Sequence, residues 1–424
     1  MPAASPPPSP FLSLSRELTP AQRRALWAAA LGWALDGMDA MLYAFALSAI
    51  QREFELSSGT AGALASVTLV CSAVGGVLFG VLADRLGRAR ALMLAVLAYS
   101  LCTAATATAR SLPELVLWRA LLGLGLGGEW SAGAVLVAES VPAHRRGQAL
   151  GLVQSGWAVG YALAALVAAL VLPRWGWRAL FLVGVSPALL AAWVRARVEE
   201  PAAWRAARDP SARLPAAAPT PSGLALLLRP PLRRRAVLAT LLATSLLCAY
   251  WGLFTWIPTY LSTPVERGGV GLSLVRALPF LLPMQAGAFA GYVCFGVLAD
   301  RLGRRPVFAA FVLAAAAAVP GFALLAHRPG WLLLLAPLLG FAGHGYFSVF
   351  GALLAELFPG PIRATAQGAC YSTGRAVSAL APFAVGGLAE RWGLGAALSA
   401  TCGLYVVGAL LIWTLPETRG EELA

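Results

Sequence analysis

The stretch GVLADRLGR occupies residues 80–88 and recurs unchanged at residues 296–304. The two copies begin 216 positions apart in a chain of 424, close to half its length. Other residues repeat at nearly the same interval. Glu139, Pro142 and Arg146 reappear 217 positions later as Glu356, Pro359 and Arg363, and Gly123 and Gly151 reappear as Gly340 and Gly368. The chain therefore reads as two halves built to one pattern, each carrying its copy of the peptide after a long apolar run.

Composition says where such a chain resides. Hydrophobic residues make up 59% and charged residues only 12%, against roughly 25% charged in soluble domains. Runs such as Gly62–Ala83 and Val307–Ala326 are each long enough to cross a hydrocarbon layer about 30 Å thick. These features predict an all-α polytopic membrane protein with twelve spans, near 25–50, 60–83, 89–109, 115–139, 147–171, 178–195, 236–261, 274–299, 306–326, 331–356, 365–388 and 394–415. The implied organisation is an N-terminal segment 1–24, a six-helix bundle 25–195, a linker 196–235 rich in Arg, Pro and Ala, a second six-helix bundle 236–415 and a tail 416–424. The first 20 residues lack the apolar core of a cleavable signal, so span 1 itself is expected to direct insertion.

All 32 basic residues are arginine, and the net charge is +13. Their distribution speaks for membrane topology rather than nucleic acid. With the N-terminus in the cytoplasm, 22 fall in cytoplasmic segments, 8 in outer ones and 2 inside spans, as the positive-inside bias requires. Both termini are then cytoplasmic in an inner membrane. The six cysteines (Cys71, Cys102, Cys248, Cys294, Cys370, Cys402) lie in apolar stretches without metal-ligand spacing, and read as small buried hydrophobes.

The repeated peptide resembles the signature loop of the major facilitator superfamily, which joins the second and third helices of each half. Arg119-Ala-Leu-Leu-Gly123-Leu-Gly125-Leu-Gly127-Gly128 resembles that superfamily's helix-4 motif, and Glu139…Pro142…Arg146-Gly147 its following loop. The resemblance implies two six-helix bundles related by an axis normal to the membrane, rocking about a central site.

Within the repeated loops, Gly80 and Gly296 are expected where helices approach closely. Asp84 and Asp300 fall at helix ends, able to meet an arginine or another helix N-terminus. Arg85, Arg88, Arg301 and Arg304 hold the loops on the cytoplasmic side, where they either fix topology alone or take part in a gate. In the gate reading, Asp84 and Asp300 with Glu139 and Glu356, beside Arg146 and Arg363, hold that side shut when the protein faces outward.

Charges inside the spans point to chemistry. Span 1 carries Asp36 and Asp39, span 4 carries Arg119 and Glu129, and span 11 carries Arg375. Each costs at least about 2.5–3.5 kcal/mol at a helix centre on insertion scales, so such residues face a cavity or a partner. They could pair only for stability, and the two aspartates could cap backbone in a kinked helix. As proton carriers, Asp36 and Asp39 sit three residues apart on one helix face, where two negative charges disfavour each other. Glu129 would then position Arg119. Arg375 has no acid mid-span in its own half, which suits an anionic substrate, and Arg119 is a second candidate. His344, between Gly343 and Gly345, is either a packing group or a ligand. Gln154, Trp157 and Tyr161 share a face of span 5 and could line the cavity with Gln285 and Tyr371. Tyr250, Trp251 and Trp256 are interfacial anchors or cavity walls.

The chain shows no phosphate loop, Ser/His/Asp set or metal cluster, so neither an enzyme nor a cofactor is expected. Span 5 also lacks the Gly-Pro pair typical of the superfamily's drug antiporters. Leu35-Asp-Gly-Met-Asp39 with Gly127-Gly-Glu-Trp130 is similar to the proton symporters for aromatic acids, sialate, lactate and related metabolites. That similarity implies a monomeric carrier taking up a small organic anion, a carboxylate, together with protons. A carrier of a neutral solute such as a sugar, and more remotely a membrane sensor without transport, are the alternatives.

Overall fold

The computed structural model describes residues 17–142, 146–200, 227, 229–230, 232–325, 328–358 and 363–418. Among these residues there is no strand. Helices α1 (Pro20–Glu53), α2 (Ser58–Leu86), α3 (Arg88–Thr106) and α4 (Leu112–Ser140) form spans 1 to 4. Helix α5 (Arg146–Val183) passes through Gly176, whose positive φ of 76° separates span 5 from the start of span 6. Helix α6 (Pro187–Arg197) completes span 6. In the second half, α7 (Leu232–Phe254) with α8 (Ile257–Ser262), α9 (Leu274–Leu302) and α10 (Arg304–Leu325) form spans 7 to 9. Spans 10 to 12 are each broken in two: α11 (Pro329–Gly345) and α12 (Phe347–Glu356), α13 (Arg363–Ser378) and α14 (Leu380–Trp392), α15 (Leu394–Ala400) and α16 (Cys402–Ile412).

Seven stretches among the described residues are by themselves long and apolar enough to cross a membrane, one of them the double span Ala149–Val194. The other spans fall short because they are broken helices or hold charge. The expected linker lies largely outside the described residues. Span 1 is a single unbroken helix, so the kinked-helix role for its aspartates does not apply.

Local chemistry sets the helix ends. Ser57 and Ser273 cap α2 and α9 at equivalent positions, their hydroxyls accepting from the N–H groups of Thr60 (3.2 Å) and Arg276 (3.4 Å). Each repeated peptide ends its helix at a glycine with positive φ, 113° at Gly87 and 103° at Gly303, a conformation glycine adopts without steric cost. The next helix starts at once, and a distant carboxylate seats on its N-terminus. Glu200 accepts from the N–H groups of Ala89 and Arg90, each at 3.1 Å. Glu417, 217 positions later, accepts from those of Arg304 (2.8 Å) and Arg305 (3.0 Å). A helix start has unsatisfied N–H groups and partial positive charge, which a carboxylate complements.

Close helix crossings run through other glycines than those expected. A methyl at Gly160 would stand 1.8 Å from the Ala34 carbonyl oxygen, and one at Gly340 1.8 Å from that of Met284. No atom lies within 4 Å of the equivalent point at Gly80 or Gly296. The repeated glycines therefore face open space in this conformation. The cysteines also depart from expectation. All six are free, Cys370 alone is buried, and Cys294 is exposed on the apolar perimeter. A thiol tolerates lipid as well as it tolerates a core.

At the end of the bundle opposite the repeated loops, beyond the apolar part of span 1, Glu53 accepts from the Trp177 indole and the Arg178 guanidinium, each at 2.6 Å. Partial burial pulls its carboxyl up, but those two donors and the adjacent positive charge outweigh this and hold it below its ordinary value. The contact ties span 1 to span 6 within the first half.

Candidate functional site

Between the halves lies a small cavity. Its wall includes Asp36, Met41, Tyr43, Thr68, Ser72, Arg119 and Trp157 from the first half and Trp251, Thr255 and Arg375 from the second. Five residues named from the sequence thus meet there: Asp36, Arg119, Trp157, Trp251 and Arg375. His344, Gln154, Tyr161, Gln285 and Tyr371 are not part of this wall. Tyr161 is buried edge-on against Phe45, and Gln285 is buried with neither amide atom hydrogen-bonded. Gln154 and Tyr371 are partly buried. Thr68, Ser72 and Thr255 escaped sequence reading because small hydroxyls in apolar helices carry no periodic signal.

The charges sort into two groups. Arg119 is 2% exposed, donates through Nε to the Thr68 hydroxyl (3.0 Å) and stacks its guanidinium 4.3 Å from the Tyr43 ring centroid. A cation over an aromatic face is stabilised by the ring quadrupole. Asp39 lies within electrostatic reach of this arginine. It faces Thr103, whose hydroxyl is already given to the Tyr99 carbonyl at 2.9 Å, and neither carboxylate oxygen is hydrogen-bonded. The second group is Asp36, Glu129 and Arg375, all buried and within electrostatic reach of one another. It joins spans 1 and 4 to span 11, so its members come from both halves.

Asp36 borders the cavity and Asp39 turns toward Thr103 in the first bundle, yet the two remain within electrostatic reach of each other, as their spacing implies. The arrangement corrects two other expectations. Glu129 does not position Arg119. Ten residues separate them along α4, a rise of about 15 Å, and Glu129 instead lies beside Gly32 and faces Asp36 and Arg375. Arg375 is also not without acids; they come from the other half.

Span 10 resolves the histidine. His344 is fully buried among rings, with Phe254 at 4.2 Å and Tyr250 at 5.1 Å between centroids. Trp251 is a cavity wall, whereas Trp256 is buried and donates to the Pro382 carbonyl at 3.1 Å, so neither is an interfacial anchor.

The halves meet at the end opposite the repeated loops. There Glu390 of span 11 accepts from the Gly59 N–H of span 2 at 2.7 Å, and the hydroxyls of Ser48 and Ser262 lie 3.3 Å apart. On the loop side, Arg88 holds Glu139 through two contacts of 3.1 and 3.2 Å. Both residues belong to the first half, so this pair braces one bundle. Arg85 and Arg301 are exposed. Side chains of Asp84, Asp300, Arg146, Glu356 and Arg363 lie outside the described residues, although their helices are described.

Comparison with known proteins agrees with this architecture. The pattern of the Major Facilitator Superfamily matches residues 29–292 and 270–424. The chain is 34% identical to the "Probable 4-methylmuconolactone transporter" of Cupriavidus pinatubonensis, over 95% of this chain and 92% of that protein. It is 32% identical to the cis,cis-muconate transport protein of Acinetobacter baylyi, over 88% of each. A crystal structure of a D-xylose–proton symporter superposes with a TM-score of 0.74 at 22% identity, covering 95% of this chain and all of that one. With twelve helical spans in two bundles around a charged central cavity, the chain belongs to the major facilitator superfamily, a multi-pass membrane transporter and not an enzyme.

Proposed function

We propose that this protein is a proton-coupled symporter that takes up a small organic carboxylate across the inner membrane as a single chain, with both termini cytoplasmic. The arginine distribution supports that orientation, and the names of the relatives support a carboxylate. The observation that carries the reading is the charge count at the centre. Among the described residues, the charged side chains buried inside the spans are three carboxylates, Asp36, Asp39 and Glu129, and two guanidiniums, Arg119 and Arg375.

An unpaired charge away from water costs several kcal/mol, on the order of 2.5–3.5 even by lenient scales. Asp39 with Arg119 makes a neutral pair. Asp36 and Glu129 share one arginine, so neutrality requires one proton between them. A substrate carboxylate entering against Arg375 adds another negative charge, and Asp36 and Glu129 must then both be protonated. Each carboxylate drawn into the cluster thus brings a proton with it. Arg375 supplies a planar fork matched to a carboxylate. The Arg119 Nη1, buried and not hydrogen-bonded, is available from the opposite wall. In this reading the cytoplasmic gate of Asp84 and Asp300 with their arginines completes alternating access.

Uptake into proteoliposomes tests it. With an acidic exterior, labelled muconate or nicotinate should accumulate, unlabelled carboxylates should compete, and sugars at the same concentration should not. Competition by sugars with no effect of carboxylates would overturn the anion reading.

A further inference from the structure

Trp157, Tyr250 and His344 form a chain of hydrogen bonds whose direction is forced. The Trp157 Nε1 lies 2.5 Å from the Tyr250 hydroxyl, that hydroxyl lies 3.2 Å from the His344 Nε2, and the His344 Nδ1 lies 3.2 Å from the Gly340 carbonyl oxygen. An indole N–H only donates and a carbonyl only accepts. With a neutral imidazole, one arrangement alone satisfies every link. The indole donates to the tyrosine oxygen, the tyrosine O–H donates to Nε2, and Nδ1–H donates to Gly340. A second proton on the imidazole would leave the tyrosine hydrogen with no acceptor in the chain. All three side chains are at least 96% buried, where a broken link leaves an unsatisfied polar group.

Only one end of this chain touches the cavity. Trp157 is part of the wall, while Tyr250 and His344 stand behind it. The other end sits at the break in span 10. His344 is the penultimate residue of α11, and the N–H of Tyr346, the residue between α11 and α12, bonds back to the His344 carbonyl. The chain also crosses from the first half to the second, because Trp157 lies in span 5 and the others in spans 7 and 10.

We propose that His344 is a positioning residue that acts through Tyr250 to fix the Trp157 indole on the cavity wall and so ties that wall to the break in span 10. Its role is to hold an acceptor at one distance from the tyrosine, not to bind substrate or carry a proton. This goes beyond the symport reading and does not depend on it.

Fluorine NMR of the full-length carrier labelled with 5-fluorotryptophan tests the proposal without any substrate. The Trp157 resonance is assigned by its loss in Trp157→Phe. Tyr250→Phe and His344→Leu should each move that resonance by more than its linewidth and in the same direction. Combining them should move it no further than either alone, as expected for residues acting in one chain. His344→Gln, which keeps an acceptor toward Tyr250, should return the resonance to the wild-type position. A Trp157 resonance that stays put in His344→Leu, or that moves equally in His344→Leu and His344→Gln, would overturn the positioning role. Should His344→Leu not fold, the glutamine variant and Tyr250→Phe decide alone: a shift in His344→Gln as large as that in Tyr250→Phe counts against it.

Discussion

Replacing Arg375 with alanine should weaken carboxylate binding by at least about a hundredfold, the equivalent of roughly 3 kcal/mol for losing one side of a buried charge pair. The arginine is 8% exposed, lies on the cavity wall and comes from the half that, among the described residues, has no buried acid of its own. Arg375→Lys keeps the charge but loses the two-pronged geometry, so a loss of about tenfold is expected there. Calorimetry or ligand-induced thermal shift on purified carrier reads both. Affinity retained in the alanine variant, with the protein folded, would assign the anion to Arg119 or elsewhere.

The second large effect concerns coupling. Asp36 and Glu129 both face Arg375, so either carboxyl can take the proton when the other is replaced. Single Asp36→Asn and Glu129→Gln variants should therefore still concentrate substrate when the outside is acidic, at reduced rate. The double variant leaves no carboxyl beside Arg375. Its accumulation ratio should fall to about one, while exchange of labelled for unlabelled substrate continues, because the arginine can still pair with the substrate carboxylate. Asp39→Asn should slow transport by freeing Arg119 from its partner without abolishing accumulation. If the double variant still accumulates substrate against its gradient, the coupling proton is held elsewhere.

Much of this architecture was legible before any coordinates. The repeat of GVLADRLGR and the runs of apolar residues set twelve spans and two matched halves, because span length is dictated by the hydrocarbon thickness and little else. Buried charges were legible for a similar reason: an aspartate or arginine amid apolar residues costs too much to be incidental. What sequence left open was which charges meet. Arg375 takes its acids from spans 1 and 4 of the other half, a pairing set by how the bundles face each other and not by spacing along any helix. The direction of Asp39 was lost for a different reason, since three residues on a helix share a face only loosely. Glu200 and Glu417 lay in plain view at the 217-residue interval, but as single glutamates near helix ends they gave no hint that each would cap a helix more than a hundred residues away.

Counting protons at the moment of binding tests the central claim most directly. Purified carrier in weakly buffered solution, with a pH indicator present, is mixed with a saturating monocarboxylate. The charge count of three acids against two arginines predicts that about one proton leaves the solution for each carboxylate bound, and that Asp36→Asn combined with Glu129→Gln abolishes this uptake while binding persists. Binding of the carboxylate by the unmodified carrier with no proton taken up would contradict it.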